Sequence, residues 1–166
     1  VYSNGRLGGV LQARPYTDGS SSQVLGYVPD TNVESSVIYV VNTEPTGSAT
    51  ATLELRTSQG QSLGTRDFTV PANGFVSVPD LARTLLSRTT PTQTVSAVYV
   101  TSARALMTAG FVLSTNNSDL RLFNGHTGGG VRMALTAAEP RTGLTVANVG
   151  VGPATVEISL RVDSGT

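Results

Sequence analysis

The chain has 166 residues with 11 basic and 11 acidic side chains, one histidine, no cysteine and no tryptophan. A net charge of zero argues against nucleic-acid binding, and the missing cysteines exclude disulfides and thiol chemistry. One histidine excludes multi-histidine metal sites, and no apolar run reaches the ~18 residues of a membrane span. We therefore predict a chain with no cofactor, no nucleic-acid partner and no membrane insertion.

The first 19 residues are rich in glycine around a short apolar stretch, which predicts a strand at Leu7–Ala13. This segment is either an edge strand of the domain that follows or an extension that pairs with another subunit. Glycine-rich strands specify their register weakly, which suits both roles.

From residue 20 onward, short runs of β-branched residues are interrupted by turn formers every 8–12 residues, as in a β-sandwich. The clearest strand is Ala49–Arg56, in which apolar and polar residues alternate with period two. The alternation of Met107, Ala109, Phe111 and Leu113 predicts another row that faces the core. We expect further strands at Gln23–Val28, Ser36–Val41, Ser62–Val70, Phe75–Val78, Val95–Thr101, Leu120–Phe123, Val131–Thr136, Thr142–Ala147 and Thr155–Val162.

Aromatic residues also fall within these strands, and we expect them to be buried in the core. They are Tyr39, Phe68, Phe75, Tyr99 and Phe111.

The connections carry turn signals at Pro29–Asn32, Ser58–Gln61 and Pro71–Gly74. One helix is predicted at Leu81–Ser87, where Asp80 is a candidate N-cap. It spans about two turns, which are marginal in isolation, so we expect Leu81, Leu85 and Leu86 to pack against one end of the sandwich.

A partial internal repeat divides the chain. The stretch from Asn42 to Gly60 has an echo from Asn148 to Gly165, which predicts an N-terminal extension or edge strand (1–19), a first β repeat (20–127) and a partial second repeat (128–166). An incomplete second repeat would expose the apolar row of Val156, Ile158 and Leu160 and an unpaired strand edge. This row would be completed by further repeats of a longer protein, by packing on the first repeat, or by strands of a neighbouring subunit.

The order of these motifs resembles Ig-like β-sandwich repeats of large secreted or cell-surface bacterial proteins. The resemblance rests on Ser36–Asn42, Phe68–Gly74, the helix near Leu81, and Val98–Leu106. It implies an all-β, antiparallel sandwich with one short helix, an extracellular location and a role without catalysis.

Candidate chemistry is sparse. Asp30, Asn32 and Glu34 alternate like the start of a calcium loop, but the glycine and the distal glutamate of such a loop are missing, so a polar turn is the favoured interpretation. His126, the only imidazole, lies in a glycine-rich stretch between the repeats, which favours a surface position.

The sequence therefore predicts a non-catalytic structural or interaction module of a bacterial surface or filament protein. We expect it to assemble through strand edges and apolar strand faces, with copies of itself or with neighbouring repeats. A carbohydrate-binding or adhesive module and an accessory domain of a secreted hydrolase are the alternatives.

Overall fold

The computed structural model describes residues 2–3, 6–7, 19–114, 120–124, 153 and 155. In chain order the elements are β1 (Tyr2–Ser3), β2 (Arg6–Leu7), β3 (Ser20–Asp30), β4 (Glu34–Asn42), β5 (Ala49–Arg56), β6 (Ser62–Val70), β7 (Gly74–Val78), α1 (Leu81–Leu86), β8 (Thr94–Ser114) and β9 (Leu120–Asn124). The strand pairs are antiparallel, and β1 pairs with β2. The expectation of an all-β antiparallel fold with one short helix is confirmed.

The long strand β8 organises the molecule. Its first part pairs with β3 and β5, and β5 also pairs with β6. From Met107 onward it pairs with β4 and β9, and β4 also pairs with β7. The two sheets expected of a sandwich are therefore joined by β8 into one curled sheet.

The hydrophobic core lies inside the curled sheet. The burial of alternate residues in β5 confirms the alternation predicted for this strand. Ala49, Ala51, Leu53 and Leu55 are buried, while the residues between them are half-buried or exposed. Buried side chains from β3, β4, β6, β7, β8 and α1 complete the same cluster: Leu25, Val28, Ile38, Val40, Val70, Val78, Leu81, Ala82, Leu85, Val98, Val100 and Leu106.

Two expectations about the core are wrong. In the second part of β8 the buried row consists of Leu106, Thr108, Gly110 and Val112, while Met107, Ala109, Phe111 and Leu113 are half-buried on the opposite side. The strand aromatics are in strands as expected, but only Phe68 packs against the core, from a half-buried position, whereas Tyr39, Phe75, Tyr99 and Phe111 are half-buried or exposed outside it. Period-two alternation shows which residues share a face but does not show which face is inside.

The helix is present, but its start differs from the expected cap. Asp80 occupies the N-cap position in a left-handed conformation and makes no side-chain capping bond; its Oδ1 instead accepts a bond from Arg83 Nη2 at 2.7 Å. Leu81 and Leu85 are buried, and Leu86 packs against the core from a half-buried position. The helix therefore covers part of the curl, in contact with β3, β4, β5 and β6.

Several expectations lie outside the described residues. These are the strand at Leu7–Ala13 beyond its first residue, His126, and the second repeat with Val156, Ile158 and Leu160. Within the described part of the chain, no helix is long and apolar enough to cross a membrane.

Candidate functional site

The outward side of β7, β4 and β8 forms a largely apolar surface. Its apolar side chains, here called the apolar outer face, are Val37, Tyr39, Val41, Phe75, Met107, Ala109, Phe111 and Leu113, and Ser35 and Ser77 lie on the same side. The antiparallel register aligns them in rungs, such as Phe75–Val41–Met107 across three strands. Strand β9 pairs with the other edge of this part of β8, and its backbone register places Leu122 opposite Phe111 and Leu120 opposite Leu113.

Three aromatic rings form a row across this face. The ring centroid of Tyr39 lies 5.9 Å from that of Phe75 and 5.9 Å from that of Phe111. Both centroid distances are within the range of interacting aromatic pairs, and the rings are tilted at 52° and 34° to each other. Phe75 is 61% exposed, although aromatic residues of this size are usually largely buried.

The outward side of β6, β5 and β8 is different in character. We call it the polar outer face, and its side chains are Thr50, Thr52, Glu54, Arg56, Thr65, Asp67, Tyr99 and Thr101. Thr52 Oγ1 donates to Asp67 Oδ1 at 2.7 Å, and the Arg56 guanidinium lies 4.4 Å from the centre of the Tyr99 ring. These partners lie across neighbouring strands, and the polar side chains of this face suit contact with water.

An ion pair also lies on the polar outer face. Arg56 Nη2 is 2.6 Å from Glu54 Oε2. The hydrogen bond from Arg56 lowers the pKa of the Glu54 carboxyl below its usual value and raises the pKa of the Arg56 guanidinium.

Beside the polar outer face lies a shallow depression of about 490 Å³ between β5 and β8. Hydroxyl groups line it together with the Arg104 side chain, whose Nη1 donates to Thr46 O at 2.8 Å. Gly47, next to Arg104, has a φ of +79°, a left-handed conformation that glycine adopts without strain.

The calcium candidates Asp30, Asn32 and Glu34 are placed at the bend between β3 and β4. The Asp30 carboxylate is buried and accepts bonds from the Thr92 backbone N at 2.8 Å and hydroxyl at 2.9 Å. Arg83 Nε lies 3.1 Å from its other oxygen.

The other two candidates have different surroundings. Asn32 is exposed, and Glu34 Oε2 accepts a bond from the Tyr27 hydroxyl at 3.3 Å. The Asp30 carboxylate thus ties β3 to α1 and to the segment before β8. In the described ranges, no three His, Cys, Asp or Glu side chains group closely enough to hold a metal ion.

The fold and these surfaces define an antiparallel all-β domain with one apolar and one polar outer face. No protein-family model matches the sequence, and no curated protein matches it. Among solved structures, the chain is similar to "Thermotoga maritima 1070", with a TM-score of 0.54 and 11% identity over 69% of this chain and 99% of that one. It is also similar to "Anabaena sensory rhodopsin transducer", with a TM-score of 0.44 and 18% identity over 55% of this chain and 87% of that one. The likeness to the Thermotoga protein concerns the fold alone.

Sequence reasoning missed the apolar outer face as a surface, although it identified most of its members as strand residues. The sequence of β4 and β8 does indicate such a surface. In each of these strands, the side chains on one side and those on the other are both apolar enough to be buried. A strand with two apolar faces is expected to be covered on both sides.

Proposed function

We propose that this chain is a non-catalytic structural or interaction module of a bacterial extracellular or cell-surface protein, with an Ig-like sandwich arrangement, assembling through its strand edges and apolar strand faces. The observation that carries the proposal is the apolar outer face. An antiparallel sheet that faces water normally alternates apolar-in with polar-out, as the polar outer face does. Contiguous apolar surface that breaks this rule is characteristic of a contact surface.

Two further features support contact with another polypeptide. The members of the apolar outer face include no charged residue, so burying it leaves no unpaired charge. The net charge of zero also removes long-range repulsion between copies or repeats. The extracellular location rests on the sequence resemblance to bacterial surface repeats.

The rate at which Met107 is oxidised can test whether the apolar outer face is covered by a partner. It belongs to the apolar outer face, and the sequence has one other methionine, Met133. If the face is a contact surface, peroxide should oxidise Met107 several-fold more slowly in the folded full chain than in the urea-unfolded chain. Phe75→Asp, which places a charge on the face, should restore fast oxidation. Leu63→Asp, on an exposed site of β6, should not.

The concentration dependence shows which kind of partner covers the face. Protection that grows with protein concentration indicates a second copy, whereas constant protection indicates another part of the same chain. Thr101→Met places a matched reporter on the polar outer face of the same strand and should be oxidised quickly. Oxidation of Met107 at the unfolded rate at every concentration would contradict the proposal.

Carbohydrate binding is the second candidate, and the aromatic row of Phe75, Tyr39 and Phe111 favours it. Exposed rings commonly stack on sugars, and these rings lie on the surface instead of in the core. Aliphatic side chains flank the row, which favours the apolar contact as the first proposal. Sedimentation of the chain with insoluble polysaccharides, lost in Phe75→Ala and kept in Leu63→Ala, would support the alternative.

A further inference from the structure

The size of the apolar outer face limits what can cover it. Four strands that each occupy ~4.8 Å of width and four rungs that each occupy ~6.8 Å of length give a face of roughly 19 by 27 Å, or about 500 Å². A stable dimer buries about 800 Å² on each partner. The face is therefore small for a second copy, but it suits a tethered segment, because association within one chain avoids most of the loss of translational and rotational freedom.

The sequence supplies a segment of matching length and character. In the predicted strand Thr155–Val162, the apolar residues Val156, Ile158, Leu160 and Val162 alternate with polar ones. Four alternate residues of a strand occupy about 27 Å, which is the length of the four rungs. The strands predicted at Val131–Thr136 and Thr142–Ala147 can pair with it, so its backbone groups need not remain unsatisfied.

The position of β9 also allows the residues that follow it to reach the apolar outer face. Strand β9 borders the apolar outer face and ends at Asn124, which pairs with Ala109 of that face. Residues 125–130, including three consecutive glycines, separate this point from Val131. Six extended residues reach about 20 Å, enough to cross the face.

We infer that residues 131–162 of the same chain cover the apolar outer face, with Val156, Ile158 and Leu160 packed against the aromatic row of Tyr39, Phe75 and Phe111. The inference rests on the proposed function, because it requires this face to be a contact surface. It names the partner as the polypeptide that follows the first repeat and the contact as sheet-on-sheet packing, in which facing layers lie about 10 Å apart.

Photo-crosslinking of the full chain tests this inference directly. With the substitution Phe75→p-benzoylphenylalanine in an equal mixture of natural and ¹⁵N-labelled protein, irradiation should join position 75 to a peptide within 131–162 of the same isotopic type. The matched control is Leu63→p-benzoylphenylalanine on β6, which should not capture that peptide. Mixed-isotope products, products with any other segment, or no product at all would overturn the inference.

A second pair of variants separates this inference from the proposed function. Ile158→Asp in the full chain should accelerate peroxide oxidation of Met107 several-fold, whereas Ser159→Asp, on the other side of the predicted strand, should leave it unchanged. If Phe75→Asp accelerates oxidation and Ile158→Asp does not, the face is a contact surface with another partner, and only the inference fails. If Met107 in the unmodified chain is oxidised at the unfolded rate, both fail.

Discussion

Asn42 illustrates how one buried polar side chain fixes a loop. It is fully buried; its Nδ2 donates to Gly47 O at 3.2 Å and to Val70 O at 3.4 Å. Its Oδ1 accepts a bond from the Glu44 backbone N at 3.1 Å. The side chain therefore connects the end of β4, the following loop and the end of β6. The repeat had singled out this residue by its match with Asn148, and the structure supplies the physical reason for an asparagine there.

We expect Asn42→Ala to lower the free energy of unfolding by about 2–3 kcal/mol, because it removes the partner of the buried Val70 carbonyl and of the part-buried Gly47 carbonyl and Glu44 N–H. Urea denaturation monitored by circular dichroism measures the change. Asn32→Ala, at an exposed position in the bend after β3, should have little effect. Equal effects of the two substitutions would show that the bonds of Asn42 are not stabilising.

The Glu54–Arg56 pair should give a pH-dependent contribution to stability. Because the hydrogen bond from Arg56 lowers the pKa of Glu54 in the folded chain, the pair stabilises the fold above the carboxyl's ordinary pKa of ~4.3. This contribution is lost as the pH falls through the lower, folded-state pKa.

The stability difference between the unmodified chain and Glu54→Gln should therefore shrink as the pH is lowered from 7 to 3. Urea titrations at each pH measure it. In an Arg56→Leu background the same difference should vary less with pH. A difference that is constant across this range would contradict the pair's role.

At the scale of elements, the decisive feature is the point where β8 changes partners. The sequence predicts two separate apolar runs there, because the alternation breaks at Ser102–Ala105. The structure continues as one strand and accommodates the break through a register shift against β3 between Ser20 and Ser22. Local pattern cannot distinguish a strand end from a bulge, since both interrupt the alternation.

A buried polar side chain stabilises this junction. Gln23 on β3 accepts a bond from Thr108 Oγ1 at 2.7 Å and donates to Leu106 O. Both Gln23 and Thr108 are buried, so each bond satisfies a group that water does not reach. The Gln23–Thr108 hydrogen bond therefore lies where β8 changes from pairing with β3 to pairing with β4.

Thr108→Val should destabilise the fold by about 1–3 kcal/mol, because it leaves the side-chain oxygen of Gln23 buried without its donor. Thr101→Val, at an exposed site of the same strand, serves as the control and should be close to neutral. Thermal and urea unfolding of both variants measure the difference. A neutral Thr108→Val would show that this bond is replaceable.

At the scale of the whole molecule, the pairing is strongly non-local. Thr94 at the start of β8 pairs with Asp30, and Leu106 pairs with Ser20, so the sheet closes over most of the first repeat. Folding that depends on such distant contacts is slow, because the loop-closure entropy is lost before the contacts form.

We expect the main refolding phase of the full chain to take roughly milliseconds to seconds, as in other sheets with distant pairing. Stopped-flow tyrosine fluorescence measures this phase. Prolyl isomerase should accelerate only a slower phase of tens of seconds, if one is present, and should leave the main phase unchanged. Complete refolding within microseconds would contradict the non-local pairing of β8.

The sequence by itself determined several strands and the turn between β5 and β6, because alternation and turn residues act over a few neighbouring positions. β5 and β6 have the predicted bounds, and the hairpin between them has Gly60 at φ +79° as its turn residue. The same local rules predicted the helix after Asp80, though they could not show that its carboxylate bonds to Arg83 in place of the backbone.

Only the tertiary structure decided which side of each strand is inside. In the second part of β8, the sequence favoured the bulkier row of Met107 to Leu113, but the pairing with β4 places Gly110 beside Ile38 and Thr108 beside Val40 in the interior. Small side chains fit there because β4 already fills that space, so the bulky row is turned outward. The resulting apolar outer face depends on how separate strands pack together, which no single stretch of sequence encodes.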